Sequence, residues 1–184
     1  MSQPKARRLI IVQGQPATGK STIARKLAKD LGVKLVEKDA IKEFLYEYVG
    51  TDDTDWSKML GQVAIETLYS LTAKLIERGY VTIVETAFWS DVARAEFNGI
   101  LQRHTVEAIE IFCHVDESER VKRINDRINS GTRHQGHIDV LSKAVKRYEP
   151  LSIGEIIDVD TTKFGETDYN NLKERIVLWI EGKK

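Results

Sequence analysis

The sequence predicts an α/β protein over residues 1–184: a three-layer α/β/α domain whose five-stranded parallel sheet is covered by helices on both faces. Three observations predict it. Apolar β-branched runs alternate along the chain with segments of helical period, the pattern of strand–helix–strand crossovers. The connections are short: prolines stand only at 4, 16 and 150, with no Gly/Ser-rich linker, internal repeat or low-complexity tract. A glycine-bounded loop lies directly between the first strand and the first helix.

The strands are expected at Leu9–Gln13, Val33–Val36, Tyr80–Glu85, Val106–Val115 and Glu155–Val159, each an apolar or β-branched run. Ile23, Leu27 and Leu31 mark one face of a helix that Gly32 stops. Leu60, Ala64, Leu68, Leu71 and Leu75 line a long helix ending before Gly79. Val121, Ile124 and Ile128 mark a third helix, beginning at Asp116, and Leu172, Ile176 and Trp179 the last.

Composition narrows the class. With 41% hydrophobic and 30% charged residues, the chain is globular rather than disordered. Lys+Arg and Asp+Glu both number 28, so bulk charge gives no general affinity for nucleic acid or an anionic membrane. The longest apolar runs, such as Leu9–Val12, fall far below the roughly 18 residues needed to cross a bilayer. A cytoplasmic protein is expected. The single cysteine, Cys113, excludes an internal disulfide and a cysteine-rich zinc site, and its place in an apolar strand suggests a core thiol.

The first strand runs into Gly14-Gln15-Pro16-Ala17-Thr18-Gly19-Lys20-Ser21-Thr22, and a helix follows. This is G-x-x-x-x-G-K-[ST] in the strand–loop–helix setting that it requires. Glycines let backbone N–H groups curl around phosphate oxygens, and the helix N-terminus adds partial positive charge. Lys20 would reach the β- and γ-phosphates of a nucleotide, and the Ser21 hydroxyl would ligate Mg²⁺. ATP and Mg²⁺ are the implied ligands.

On these residues the chain resembles the P-loop kinases of the small-molecule and polynucleotide kinds, the group of chloramphenicol phosphotransferase, gluconate and shikimate kinases and zeta-toxin-like proteins. The resemblance covers almost the whole chain. It implies a kinase transferring the γ-phosphoryl group to a hydroxyl, with an arginine-bearing lid closing over the nucleotide.

The second strand ends at Glu37-Lys38-Asp39. A carboxylate at the mouth of a parallel strand sits where open α/β sheets bind ligands, and it could accept the proton of an attacking hydroxyl. It could equally cap a helix, and the two roles coexist. The resemblance implies an aspartate here with arginine three residues on; this chain has Asp39 but Lys42, a point charge in place of a bidentate clamp. The third strand ends at Glu85, where related kinases usually carry aspartate to hold Mg²⁺ through water or to contact substrate. Phe88 and Trp89 would either wall a substrate cleft or pack in the core. Arg94, nine residues beyond Glu85, completes the substrate-side set.

Local charge points to the acceptor. From Glu37 to Asp55 seven acidic residues face two lysines, and between Val33 and Ser90 the only arginine is Arg78. A nucleoside-monophosphate site would want arginines there, and a nucleic-acid groove a basic stripe with aromatic platforms. A neutral or cationic small-molecule hydroxyl fits better. Between Glu119 and Glu149 the balance reverses, with eight basic and four acidic residues. Arg120, Arg123 and Arg127 share a helix face, and Ser130–His137 is a polar loop bracketed by glycines, so a lid is expected over about 130–138. The resemblance places adenine-stacking and phosphate-contacting arginines at Arg123 and Arg127, with Arg133 in the lid. His134 and His137 lack the further ligands of a metal motif.

The expected assignment is therefore Lys20 and the loop amides on the phosphates, Ser21 and Glu85 on Mg²⁺, and Asp39 as base. Arg127 and Arg133 stabilise the transferring group, and Lys42, Glu85, Phe88 and Arg94 lie on the acceptor side. Two other readings share the motif: a polynucleotide 5′-hydroxyl kinase, and a non-kinase ATP-binding switch acting through a partner. No motif bears on oligomeric state.

Overall fold

A computed structural model describes residues 7–50, 53–88, 90–130 and 148–183. The elements run β1 (Arg7–Gly14), α1 (Lys20–Leu31), β2 (Lys34–Glu37), α2 (Lys38–Val49), α3 (Thr54–Glu77), β3 (Thr82–Thr86), α4 (Ser90–His104), β4 (Val106–His114), α5 (Glu117–Asn129), β5 (Glu155–Asp160) and α6 (Glu166–Glu181). The five strands form one parallel sheet in the order β2-β3-β1-β4-β5.

Alternation along β1 builds the three layers. Ile10 and Val12 face α1 and α6, in a core with Ile23, Leu27, Tyr169, Leu172 and Ile176. Leu9 and Ile11 face the other way, against Leu68 and Ile76 of α3 and Phe97 and Ile100 of α4. All four β1 side chains are fully buried. At about 1.5–3 kcal/mol for each Val, Ile or Leu side chain removed from water, this double-sided burial makes β1 the anchor of the fold. Its carboxyl end, where the glycine-rich loop begins, is held between β3 and β4.

All five expected strands are present. Two helices were not legible in the apolar pattern. The buried residues of α2 are Lys42 and Tyr46, so its inward face is polar in sequence. The inward face of α4, Ala93, Phe97 and Ile100, is interrupted by charged residues and accompanied by the exposed Val92. Gly32 ends α1 in the left-handed conformation, as expected, with φ 63°. Two expectations are corrected. Leu71 of α3 is 41% exposed, outside the face made by Leu60, Ala64 and Leu68. The α5 residues Val121 and Ile128 are exposed, and α5 has no buried residue among those described. No described helix is long and apolar enough to cross a membrane.

Candidate active site

The glycine-rich loop leaves the sheet in a tight space. Gly14 lies beside Cys113 in the β1–β4 register, and a Cβ on Gly14 would stand 2.0 Å from the Cys113 carbonyl oxygen. Its φ of 151° is also open only to glycine. The loop then turns through two left-handed residues, Ala17 (φ 71°) and Gly19 (φ 79°). It is pinned across its mouth by Thr18, whose N–H and Oγ1 donate to the Gln15 carbonyl at 3.4 and 2.9 Å. Gly19 is the N-cap of α1; it offers no side-chain cap, and the first turn carries no acidic residue. The orphan N–H groups of that turn are thus kept for an external anion. Pro16 lies within the loop, and the exposed Thr22 follows Ser21 in the first turn of α1.

Behind the loop, Glu85 is 2% exposed at the end of β3. The Ser21 hydroxyl donates to its Oε1 at 3.1 Å, and the Lys20 ammonium is 3.6 Å from the same oxygen. Burial pushes the Glu85 carboxyl above the ordinary carboxylate range; Lys20 and the Ser21 hydrogen bond oppose this, while Asp39 and Glu37 reinforce it. Three carboxylates, a lysine and a serine hydroxyl thus converge where β2 and β3 end beside the loop. The Ser21 hydroxyl and Glu85 carboxylate are hard oxygen ligands of the kind that suits Mg²⁺. Among the described residues no group of three His, Cys, Asp or Glu side chains could hold a metal by itself, so such an ion would depend on nucleotide oxygens as well. Cys113 takes no part: burial pushes its thiol up to about 12.

Asp39 lies in the first turn of α2, whose N-cap is Glu37, so capping does not explain it. Its carboxylate is 40% exposed, with the Lys38 ammonium 3.3 Å from Oδ1. Three residues expected beside it are engaged elsewhere. Lys42 is 5% exposed and turned into the α2–α3 seam, where it donates to Ser57 Oγ at 3.0 Å and lies over the Tyr46 ring. Phe88 does not wall a cleft; it is 3% exposed, stacked on Tyr69 and edge-on to Phe97 in the core. Arg94 donates through Nε to the Leu151 carbonyl at 2.7 Å, fastening the segment before β5 to α4.

On the other flank of the loop, Arg123 approaches Gly19: a Cβ there would be 3.9 Å from its Nη1. Its guanidinium is held by Glu119 and by Thr161, a residue that sequence reasoning missed. The signal that could have found it is positional, since Thr161 directly follows the carboxyl end of β5. Arg127 sits one turn further along α5, partly buried. Trp89, Arg133, His134, His137 and all but the first residue of the expected lid lie outside the described residues.

Comparison with known proteins gives the same frame. A sequence-family profile described as an AAA domain matches residues 9–151. A crystal structure of a candidate kinase from Chloroflexus aurantiacus is 33% identical, with a TM-score of 0.86, and the alignment covers 95% of this chain and 98% of that one. The APS kinase of Mycobacterium tuberculosis, solved with AMPPNP and APS, shares the fold at 15% identity and a TM-score of 0.60, over 97% and 99% of the two chains. Shikimate kinase from Acinetobacter baumannii, solved with shikimate, does so at 14% identity and 0.52, over 97% and 95%. A search of curated proteins gives no match. With that profile spanning most of the chain, and a phosphate loop closed over a buried carboxylate, the protein belongs to the AAA domain family and to the P-loop kinase superfamily.

Proposed function

We propose that the protein is an ATP-dependent kinase that phosphorylates a hydroxyl group of a small molecule. The observation that carries this reading is the convergence of Lys20, Ser21 and Glu85 behind the loop, with the exposed Asp39 carboxylate beside them. A nucleotide switch needs a responsive loop and a partner surface, whereas a kinase needs a carboxylate such as Asp39 beside an acceptor. Bound Mg²⁺, held by Ser21 with Glu85 behind it, would neutralise charge on the β- and γ-phosphates.

In this reading the loop amides and Lys20 hold those phosphates. Asp39 accepts the proton of the acceptor hydroxyl as its oxygen attacks the γ-phosphorus, and the bond to the bridging oxygen breaks to release ADP. Arg123 and Arg127 supply positive charge on the opposite flank, and Arg133 of the expected lid, which lies outside the described residues, would add its charge during transfer. Glu43 and Glu47 on the exposed side of α2 favour a neutral or cationic acceptor over a polynucleotide, and Lys42, turned into the helix seam, is not presented as a clamp for a phosphorylated one. The fold neighbours solved with APS and with shikimate hold small molecules, in keeping with a small acceptor.

The test is transfer of labelled γ-phosphate from Mg·ATP into fractionated cell extract, with small metabolites and RNA separated. Wild type should label the small-molecule fraction. Asp39→Asn should lower transfer by about 10²–10⁴-fold while leaving ATP binding intact, the range expected for loss of a general base. Lys20→Ala should weaken both. Wild-type turnover by Asp39→Asn would remove Asp39 from the mechanism, and label released only as phosphate, equally by both proteins, would favour a switch.

A further inference from the structure

We infer that Thr161 is a positioning residue for the nucleotide: it locks the phosphate loop, the end of β4 and Arg123 into one rigid face. The inference rests on the kinase reading, which assigns that face to ATP. Thr161 is 4% exposed and follows the last residue of β5. Its N–H donates to the His114 carbonyl at 2.8 Å, which holds its backbone against the end of β4. Its Oγ1 lies 2.8 Å from the Thr18 carbonyl and 3.0 Å from the His114 carbonyl. Arg123 grips the same residue twice: Nη1 donates to Oγ1 at 3.1 Å and Nη2 to the Thr161 carbonyl at 2.6 Å, while Nε donates to Glu119 at 2.9 Å.

A hydroxyl carries one proton and two lone pairs. Here the proton is shared between the Thr18 and His114 carbonyls, and a lone pair receives the guanidinium. The contact with Thr18 has a consequence for the loop. In a trans peptide the C=O and the following N–H point in opposite directions. Holding the Thr18 carbonyl against Thr161 therefore directs the Gly19 N–H away from it. Gly19 has no Cβ to favour one orientation, so beside the Thr18–Gln15 bonds within the loop a bond from outside it reinforces this orientation. Thr161 supplies that bond and, through the same hydroxyl, sets the distance between the loop and the Arg123 cation. It touches no phosphate itself; it acts through Gly19 and Arg123.

The test is calorimetric titration of the full-length protein with Mg·AMPPNP, which needs no acceptor and allows no turnover. Thr161→Val keeps the shape and removes the hydroxyl; Thr161→Ser keeps the hydroxyl. Thr161→Val should bind at least about tenfold more weakly, the scale of a buried hydrogen bond lost, and Thr161→Ser should stay within about threefold of wild type. A residue that only stabilises the fold would lower Tm in Thr161→Val and leave affinity unchanged. Affinity of Thr161→Val within about twofold of wild type, or Thr161→Ser as weak as Thr161→Val, would overturn the inference. If the valine variant does not fold, Thr161→Cys, with a much weaker donor, replaces it, and wild-type affinity there overturns the inference equally. Wild type that binds no nucleotide overturns the kinase reading too; wild type that binds while Thr161→Val binds alike overturns this inference alone.

Discussion

Around Gly14–Thr22 the binding surface is main chain: a glycine against the Cys113 carbonyl, two left-handed residues, and a helix end whose N–H groups have no side-chain cap. Across the same sheet edge, at the ends of β2 and β3, it is side chain: the exposed carboxylate of Asp39 and the buried one of Glu85. The first surface exists only if the backbone takes one path, so it recurs wherever that path recurs. The second can be rewritten by substitution without moving the sheet. Lys42, Phe88 and Arg94 show how far that has gone, since all three serve packing or support in positions where acceptor contacts were expected. The loop half of the site thus identifies the nucleotide chemistry, and the other half must be read residue by residue.

The strongest way to break the loop half is Gly14→Ala. The new methyl would meet the Cys113 carbonyl at 2.0 Å, backbone against backbone, in a conformation closed to alanine. Overpacking and φ strain together should cost about 3 kcal/mol or more, lowering Tm on the order of 10 °C and abolishing nucleotide binding. Thermal denaturation checks the first effect and titration the second. An unchanged Tm would mean that β1 can part from β4 at this point, and that the loop's geometry is not fixed by the sheet.

The contrast also explains what the sequence made legible. Every strand was found because apolar runs report burial directly, and the loop because its glycines are required by the backbone. Asp39 and Glu85 stood out because carboxylates at strand ends are conspicuous, and Lys20 and Ser21 because they close the glycine-rich loop; the structure brings Lys20, Ser21 and Glu85 together. Helices α2 and α4 were missed since one buries Lys42 and Tyr46 and the other hides a three-residue apolar face among charges. Thr161 and Glu110 were missed for a different reason. Each acts on partners far away in the chain, Thr161 on Thr18 across 143 residues and Glu110 on Gln13 across 97. A lone threonine or a glutamate within an apolar strand gives no local sign of that.

Glu110 offers a sharper test of how the segment before β5 is held to the strand that leads into the loop. Its side chain is fully buried and accepts from Gln13 Nε2 at 2.6 Å, from the Leu151 N–H at 2.7 Å and from the Ile153 N–H at 3.3 Å. Glu110→Gln would place a donor among these donors. The loss should be about 2 kcal/mol, or about 4–8 °C in Tm, with faster hydrogen exchange at Leu151 and Ile153. Nucleotide affinity should be unchanged if that segment and the loop are independent. A fall in affinity would show them coupled through Gln13, the residue before Gly14. Unchanged exchange at Leu151 would mean that Arg94 and the Gln13–Glu149 bond secure that segment without Glu110.

The smallest effect is expected at Ala17, a non-glycine residue held at φ 71° and 2% exposed. The left-handed conformation costs alanine about 1–2 kcal/mol, which Ala17→Gly would relieve. Against this, glycine gains freedom in the unfolded chain, worth about 0.4–1 kcal/mol. The balance is a stabilisation under about 1 kcal/mol, visible as a rise of roughly 1–3 °C in Tm. The same freedom works in the folded protein when the loop is empty, so nucleotide affinity should fall by up to about threefold as the loop loses preorganisation. A higher Tm with weaker binding would show that the strain at Ala17 keeps the main chain shaped for phosphate. A lower Tm would instead show that the buried methyl contributes more than the strain costs, and that packing, not conformation, governs this turn of the loop.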